Sequence, residues 1–328
     1  MDTLIRKTAM EVKDVFELRK QGKLEEAYAA IRPMYAIHKG KYTTLAMFWT
    51  ASDILKKRLD ERRSEEASKI FEALLHVIPS IDDRDGKAHA AVMNAAVRLG
   101  HECKSFSIID FLENYGMEHL TEADWKGVVP TSQDDDAPPS KRFPLPSTAM
   151  RMLTLAFHEI QQEPSKDRAL KVMPLLQEAT KRQPYNKNVQ RYMAIIYGIM
   201  GEREKAVAIY KRLLSRYHDS WLYAELSSLT EDAGERAALM CQAITHQRQE
   251  QFRSGYHLQL AQLLLGRDNN RAAYELERCI AIRQKQGFHN TREINDLQRA
   301  LADAKPVSAS SQQDFYRRMA QKYINKKS

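Results

Sequence analysis

His101, Glu102 and Cys103 set an imidazole, a carboxylate and a thiol side by side, a trio whose donor types can hold a transition metal. A metal site needs a second group of ligands at matching spacing, and none follows in the chain. With Gly100 in front of it, the trio reads instead as the start of a helix. Cys103, Cys241 and Cys279 are odd in number, far apart and free of any C-x-x-C pairing, which argues against a disulfide framework or a zinc ribbon. On helical patterns Cys241 and Cys279 are small core residues. No G-x-x-x-x-G-K-[ST], G-x-G-x-x-G, G-x-S-x-G or H-E-x-x-H occurs, so none of the usual phosphate cradles, nucleophile elbows or zinc-protease helices is encoded. The reading is of a chain that is not an enzyme and carries neither cofactor nor metal.

Recognition then rests on cations and aromatics. Arg191 lies on a helical stripe with Ile195 one turn on, and Trp221 with Tyr223 reads as stacking core. The C-terminal stretch SQQDFYRRMAQKYINKKS puts Phe315, Tyr316, Met319 and Tyr323 on one side of a helix, with Arg317, Arg318, Lys322, Lys326 and Lys327 around the rest. Two fates are open to it: docking on a partner groove or on nucleic acid through Arg317, Arg318 and Lys322, or folding back to cap the preceding helices with Phe315 and Tyr316. The net charge of +8 and pI near 9.2 favour anionic partners, a weak signal on 328 residues.

The elements that must position these residues are helices. Gly and Pro are few, 12 and 11, and Ala, Leu, Lys, Glu and Arg abound. No apolar run reaches about 18 residues and the N-terminus shows no apolar leader region, so a cytoplasmic chain without membrane contact is expected. Around Gly201 two apolar stripes at helical spacing flank a glycine turn, Met193, Ala194 and Tyr197 before it and Ala206, Tyr210 and Leu213 after it. One hairpin cannot bury both stripes, so the pattern should recur. It does: Gly22 precedes Ala27 by the same five residues, GKLEEA matching GEREKA in character, and Ala67 with Phe71 repeats the alanine and aromatic spacing. Gly234 is expected in a further turn and Ala272 in a further close-packed position.

These residues resemble the tetratricopeptide repeat, with Ala194, Tyr197, Gly201, Ala206 and Tyr210 at its small, aromatic and turn positions. His218 stands where the repeat closes with proline. The resemblance implies an all-α, TPR-like right-handed α-solenoid of about seven antiparallel helix pairs, whose first helices form an inner wall. Members that bind acidic peptide ends carry a carboxylate clamp there. The resemblance places Arg191 at one clamp position, but Ile195 replaces the asparagine, so that docking mode is not expected. A fainter resemblance joins VFELRKQGKLEEAYAAIRPMY and DFYRRMAQKYI to the helical-repeat part of bacterial conflict and defence-cassette proteins.

The expected organisation is helical repeats over 1–115, a Pro/Asp-rich insertion or linker over 116–146, repeats with a polar capping helix over 147–304, and a hinge with a basic-aromatic helix over 305–328. The insertion holds Asp134 to Asp136, Pro130, Pro138, Pro139, Pro144 and Pro146, with a short helix expected near Thr121 to Gly127 from its capping-box spacing. In the first pair Phe16, Leu18, Leu24 and Ile31 are expected to be buried, with Pro33 kinking or shortening its second helix. The preferred function is a scaffold holding a protein partner on its concave face. The alternative is an accessory subunit that contacts RNA or DNA, in a defence setting, through basic helix faces and the tail. Oligomeric state is left open.

Overall fold

The computed structural model describes residues 11–127 and 146–325, the side chains of 322–325 excepted. Among them there is no strand. Sixteen α-helices follow one another: α1 (Val12–Lys20), α2 (Leu24–Ile37), α3 (Lys41–Asp60), α4 (Ser64–Val77), α5 (Lys87–Glu102), α6 (Ile108–Tyr115), α7 (Thr148–Gln162) and α8 (Lys166–Arg182). Then come α9 (Lys187–Met200), α10 (Arg203–Leu214), α11 (Ser220–Leu229), α12 (Ala233–His246), α13 (Ser254–Leu264), α14 (Asn269–Lys285), α15 (Arg292–Ala300) and α16 (Ala309–Asn325). Successive helices pair, α1 with α2, α3 with α4, α9 with α10, α11 with α12 and α13 with α14, so the all-α class expected from the spacing is the one adopted among the described residues. No described helix is long and apolar enough to cross a membrane.

The chain divides into two compact units between Ala179 and Thr180, inside α8. In the first, α2 packs on α3 and α4 on α5; in the second, α10 packs on α11 and α12 on α13. Each neighbour covers the stripe that a lone hairpin would leave wet.

The periodic alanines are the contact points. Ala27, Ala67, Ala194, Ala206 and Ala272 are all fully buried, and Phe71 and Tyr210 fill the space one turn beyond Ala67 and Ala206. The turns share one backbone solution. At Gly22 and Gly201 the chain enters the left-handed region with φ of 74° and 85°. The next amide then reaches back to the helix, Lys23 N–H to the Leu18 carbonyl at 2.9 Å and Glu202 N–H to that of Tyr197 at 2.8 Å. Arg62 takes the same place in the pair that lacks glycine, with φ of 60°, and Arg63 N–H closes on the Arg58 carbonyl at 2.8 Å.

Several boundaries differ from the sequence expectation. Gly234 is not in the connection but in the first turn of α12, because the Asp232 carboxylate accepts the Glu235 N–H at 2.7 Å and starts the helix two residues earlier. Gly100 neither ends nor starts a helix: α5 runs through it to Glu102. A Cβ there would stand 2.9 Å from Leu155 Cδ1, so this glycine marks the close approach of α7. Pro33 and Pro174 lie inside α2 and α8, each of which continues past its proline. In α1 and α2 full burial is confined to Val15, Ala27 and Ile31, with Phe16, Leu18 and Leu24 only half-buried, since this pair has a described neighbour on one side alone.

Thr121 to Gly127 is a turn, not a helix. Asp124 does cap it, taking the Thr121 N–H and hydroxyl at 2.8 Å each, but it also accepts His89 Nε2 at 2.8 Å, and its carbonyl accepts the Ala149 N–H. These ties to α5 and α7 fix the segment without a helix. Asp134 to Asp136, Pro130, Pro138, Pro139, Pro144, Lys141 and Arg142 lie outside the described residues, as do Arg6 and Lys7. Ser147 caps α7 by accepting the Met150 N–H, and α15 buries Ile294 and Leu297 under the polar face expected of a terminal helix.

Candidate functional site

Of the trio at 101–103, two members are engaged by neighbours in the fold. His101 is exposed in the last turn of α5, Glu102 pairs with Arg98 at 3.2 Å, and the buried Cys103 thiol contacts Ser105 Oγ at 3.3 Å. No cluster of three His, Cys, Asp or Glu side chains with metal-binding geometry occurs among the described residues. Burial raises the Cys279 thiol, and raises that of Cys241 well above the usual range, so neither is an activated nucleophile.

Two networks organise the second unit. The first spans α9, α10 and α11. Arg191 on α9 grips Glu225 on α11 through two guanidinium nitrogens, Nε lying 2.9 and 3.1 Å from the carboxylate oxygens, while Tyr210 on α10 donates its hydroxyl to the same carboxylate at 3.0 Å. Burial, and then the charge of Glu225, push the Tyr210 phenol far above its ordinary range. The Arg191 guanidinium also sits 4.7 Å from the centre of the half-buried Trp221 ring. Lys187, one turn earlier on α9, lies 5.5 Å from the centre of the Trp221 ring and 5.2 Å from that of Tyr217, and pairs with Asp219 at 2.8 Å. Ile195 is partly buried against the core beneath. Lys187 and Arg191 on α9 and Trp221 on α11 are thus grouped, and each cation already has a carboxylate.

The second network is buried. Glu275 on α14 is wholly enclosed, and its oxygens meet His257 Nδ1 at 2.6 Å, the Tyr316 hydroxyl at 2.5 Å and the Gln312 amide. Arg271, also on α14, donates to the Ser311 carbonyl at 3.0 Å and to Gln312 Oε1 at 2.9 Å, and covers the Phe315 ring at 4.8 Å. Helix α16 is thus folded back on α12 and α14, the second of the two fates open to it, with Tyr316 in the core and Phe315 and Met319 packed beside it. Arg317 and Arg318 remain exposed, Arg317 bonded to Asp314 at 3.1 Å. The side chains of Lys322 and Tyr323 lie outside the described residues, as do those of Lys326 and Lys327.

A sequence scan passes over Tyr185, which lies in the loop between α8 and α9 and belongs to no repeat position. It lines a cavity of about 280 Å³ with Gln190, Arg212, Leu213, Arg216 and Tyr217. A larger cleft of about 690 Å³ beside Gly201 is lined by charges of both signs already joined, Arg203 to Glu231 and Lys205 to Glu202. Charge is also uneven along the chain. Residues 180–328 hold 25 of the 51 Lys and Arg but 15 of the 43 Asp and Glu, which gives +10 to the second unit and −2 to the first.

A family model described as a domain of unknown function, DUF7017, matches residues 189–322. The match runs from α9 into α16 and so takes in the docked C-terminal helix. No curated protein matches the chain. Among solved structures it is similar to the TPR2AB-domain:pHSP90-complex of yeast Sti1, at 12% identity over 88% of this chain and 96% of that one, with a TM-score of 0.32.

Proposed function

We propose that this chain is a non-enzymatic helical-repeat scaffold that holds a protein partner along the wall formed by its first helices, centred on α9 and α11. One observation carries the reading: the half-buried Trp221 ring has both Lys187 and Arg191 over it, and these cations are fixed by Asp219 and Glu225. Tryptophan and arginine dominate the energetics of protein interfaces, most of all where they are immobilised before the partner arrives. Ile195 adds apolar surface beside them. The test is a pull-down comparing wild type with Trp221→Ala and Arg191→Glu, each checked by thermal melting. Loss of a shared set of partners from both folded variants supports the wall as the interface. Identical partner sets for wild type and folded variants overturn it.

A second reading, an accessory subunit that contacts RNA or DNA, draws on the +10 charge of residues 180–328. A bacterial conflict or defence setting belongs to this reading and rests on the two sequence phrases alone. Arg317, Arg318 and Lys322 are its tail candidates. Binding of labelled oligonucleotide without dependence on salt would exclude phosphate contact.

A further inference from the structure

We infer that the cavity at Tyr185, Arg212, Arg216 and Tyr217 is a binding site for single-stranded nucleic acid, with a base stacked on Tyr185 and adjoining phosphates on the two arginines. The inference rests on the nucleic-acid reading above and deepens it, placing the contact at the α8–α9 connection and the end of α10 instead of on the tail.

The first support is composition. The chain contains no Asp or Glu from 179 to 201 or from 205 to 218, and these two acid-free stretches meet here. Arg212 lies in the last turn of α10 and Arg216 in the turn just beyond it, and both line the cavity. Both are exposed, and neither pairs with a carboxylate among the described residues. That separates them from Lys187 and Arg191, whose charges are neutralised.

Geometry is the second support. Tyr185 is 75% exposed, yet the loop that carries it is held. Asn186 accepts the Asn188 and Val189 amides and donates to Gln183 Oε1 at 2.7 Å, while the Gln190 amide bonds the Pro184 carbonyl. A ring on a fixed loop is a platform offered at low entropic cost. Arg216 lies 5.9 Å from its centre, leaving ring area for a planar group. Beyond the cavity Lys187 lies over both the Tyr217 and the Trp221 rings, so aromatic surface continues past Tyr217. Stacking platforms interleaved with cations are how proteins hold single strands without reading their sequence. An acidic peptide would satisfy the arginines but leave the Tyr185 ring uncovered.

The test uses the full chain and fluorescently labelled oligouridylate and oligothymidylate of about 12 nucleotides, a length spanning several stacking sites. Anisotropy is read at roughly 50 and 200 mM salt. Wild type should bind with an affinity that falls steeply as salt rises. Arg212→Gln and Arg216→Gln should each lower the salt slope by about 0.7. Tyr185→Ala should weaken binding about tenfold and leave the slope in place, whereas Tyr185→Phe, which keeps the ring, should match wild type. Lys305→Gln, an exposed cation beyond α15, should have little effect. No binding overturns the proposal, and so does a Lys305→Gln loss as large as that of Arg216→Gln, which would mean diffuse attraction. A polyglutamate competitor that binds equally well and is indifferent to Tyr185→Ala would assign the cavity to acidic polypeptide instead and likewise overturn it.

Discussion

The Tyr316 hydroxyl donates to Glu275 Oε1 at 2.5 Å inside the second unit, joining the last helix of the chain to α14 across 41 residues of sequence. The phenol is driven well above its ordinary pKa by burial first and then by the neighbouring carboxylate, so it stays a donor at every pH the fold tolerates. A buried hydrogen bond to a carboxylate is worth about 1.5–3 kcal/mol. Tyr316→Phe keeps the ring and removes the donor. It should lower stability by about that amount and speed hydrogen exchange of the α16 amides more than those of α9. Equal acceleration in both helices would show that α16 does not open on its own.

Arg62 offers the opposite change. It is the one non-glycine residue with positive φ among those described, in a turn whose counterparts use Gly22 and Gly201. The left-handed conformation costs an L-residue about 1–2 kcal/mol, and glycine gives back part of that through its freer unfolded chain. Arg62→Gly should therefore raise stability by about 1 kcal/mol, a Tm gain of about 2–4 °C for a unit of this size. A fall in Tm would mean that the Arg62 side chain contributes contacts outweighing the backbone strain.

Acidification should destabilise the second unit through His246. Its ring is stacked 5.1 Å from Tyr223 and 5.4 Å from His218, and burial first, then the His218 charge, hold its pKa below 6.5. The unfolded chain takes up this proton before the folded one does. Stability is therefore constant above the unfolded value and is lost as pH falls through 6.5 toward the lower folded value. Melting curves between about pH 8 and pH 5 should show Tm dropping in that window. His246→Phe, which keeps the stack, should flatten the drop. An unchanged pH profile would remove His246 as its cause.

Much of the scaffold was legible before any coordinates because small residues must recur where helices touch. Ala27, Ala67, Ala206 and Ala272 announce the pairs, and Gly22 and Gly201 announce the turns between them. The misread places have local or distant causes that periodicity does not encode. Asp232 captures an amide and pulls Gly234 into a helix; Gly100 exists for Leu155, which is 55 positions away. Arg191 could be placed on a helix, but its partner could not, since Glu225 lies 34 residues further on. Lys187 with Asp219, and Arg19 with Asp53 at 2.5 Å, have the same one-repeat separation, so opposite charges in matching register were the signal that would have found these pairs. Tyr185 carries no such mark. It stands in a connection, where exposure and loop geometry, not repeat spacing, set it apart.

The burial of all three thiols has a practical outcome. Cys103 belongs to the first unit, Cys241 and Cys279 to the second, and each is shielded from reagent until the surrounding helices part. Timed alkylation followed by mass spectrometry would thus clock the opening of each half separately within one unlabelled molecule, using native sulfur atoms as the stopwatch.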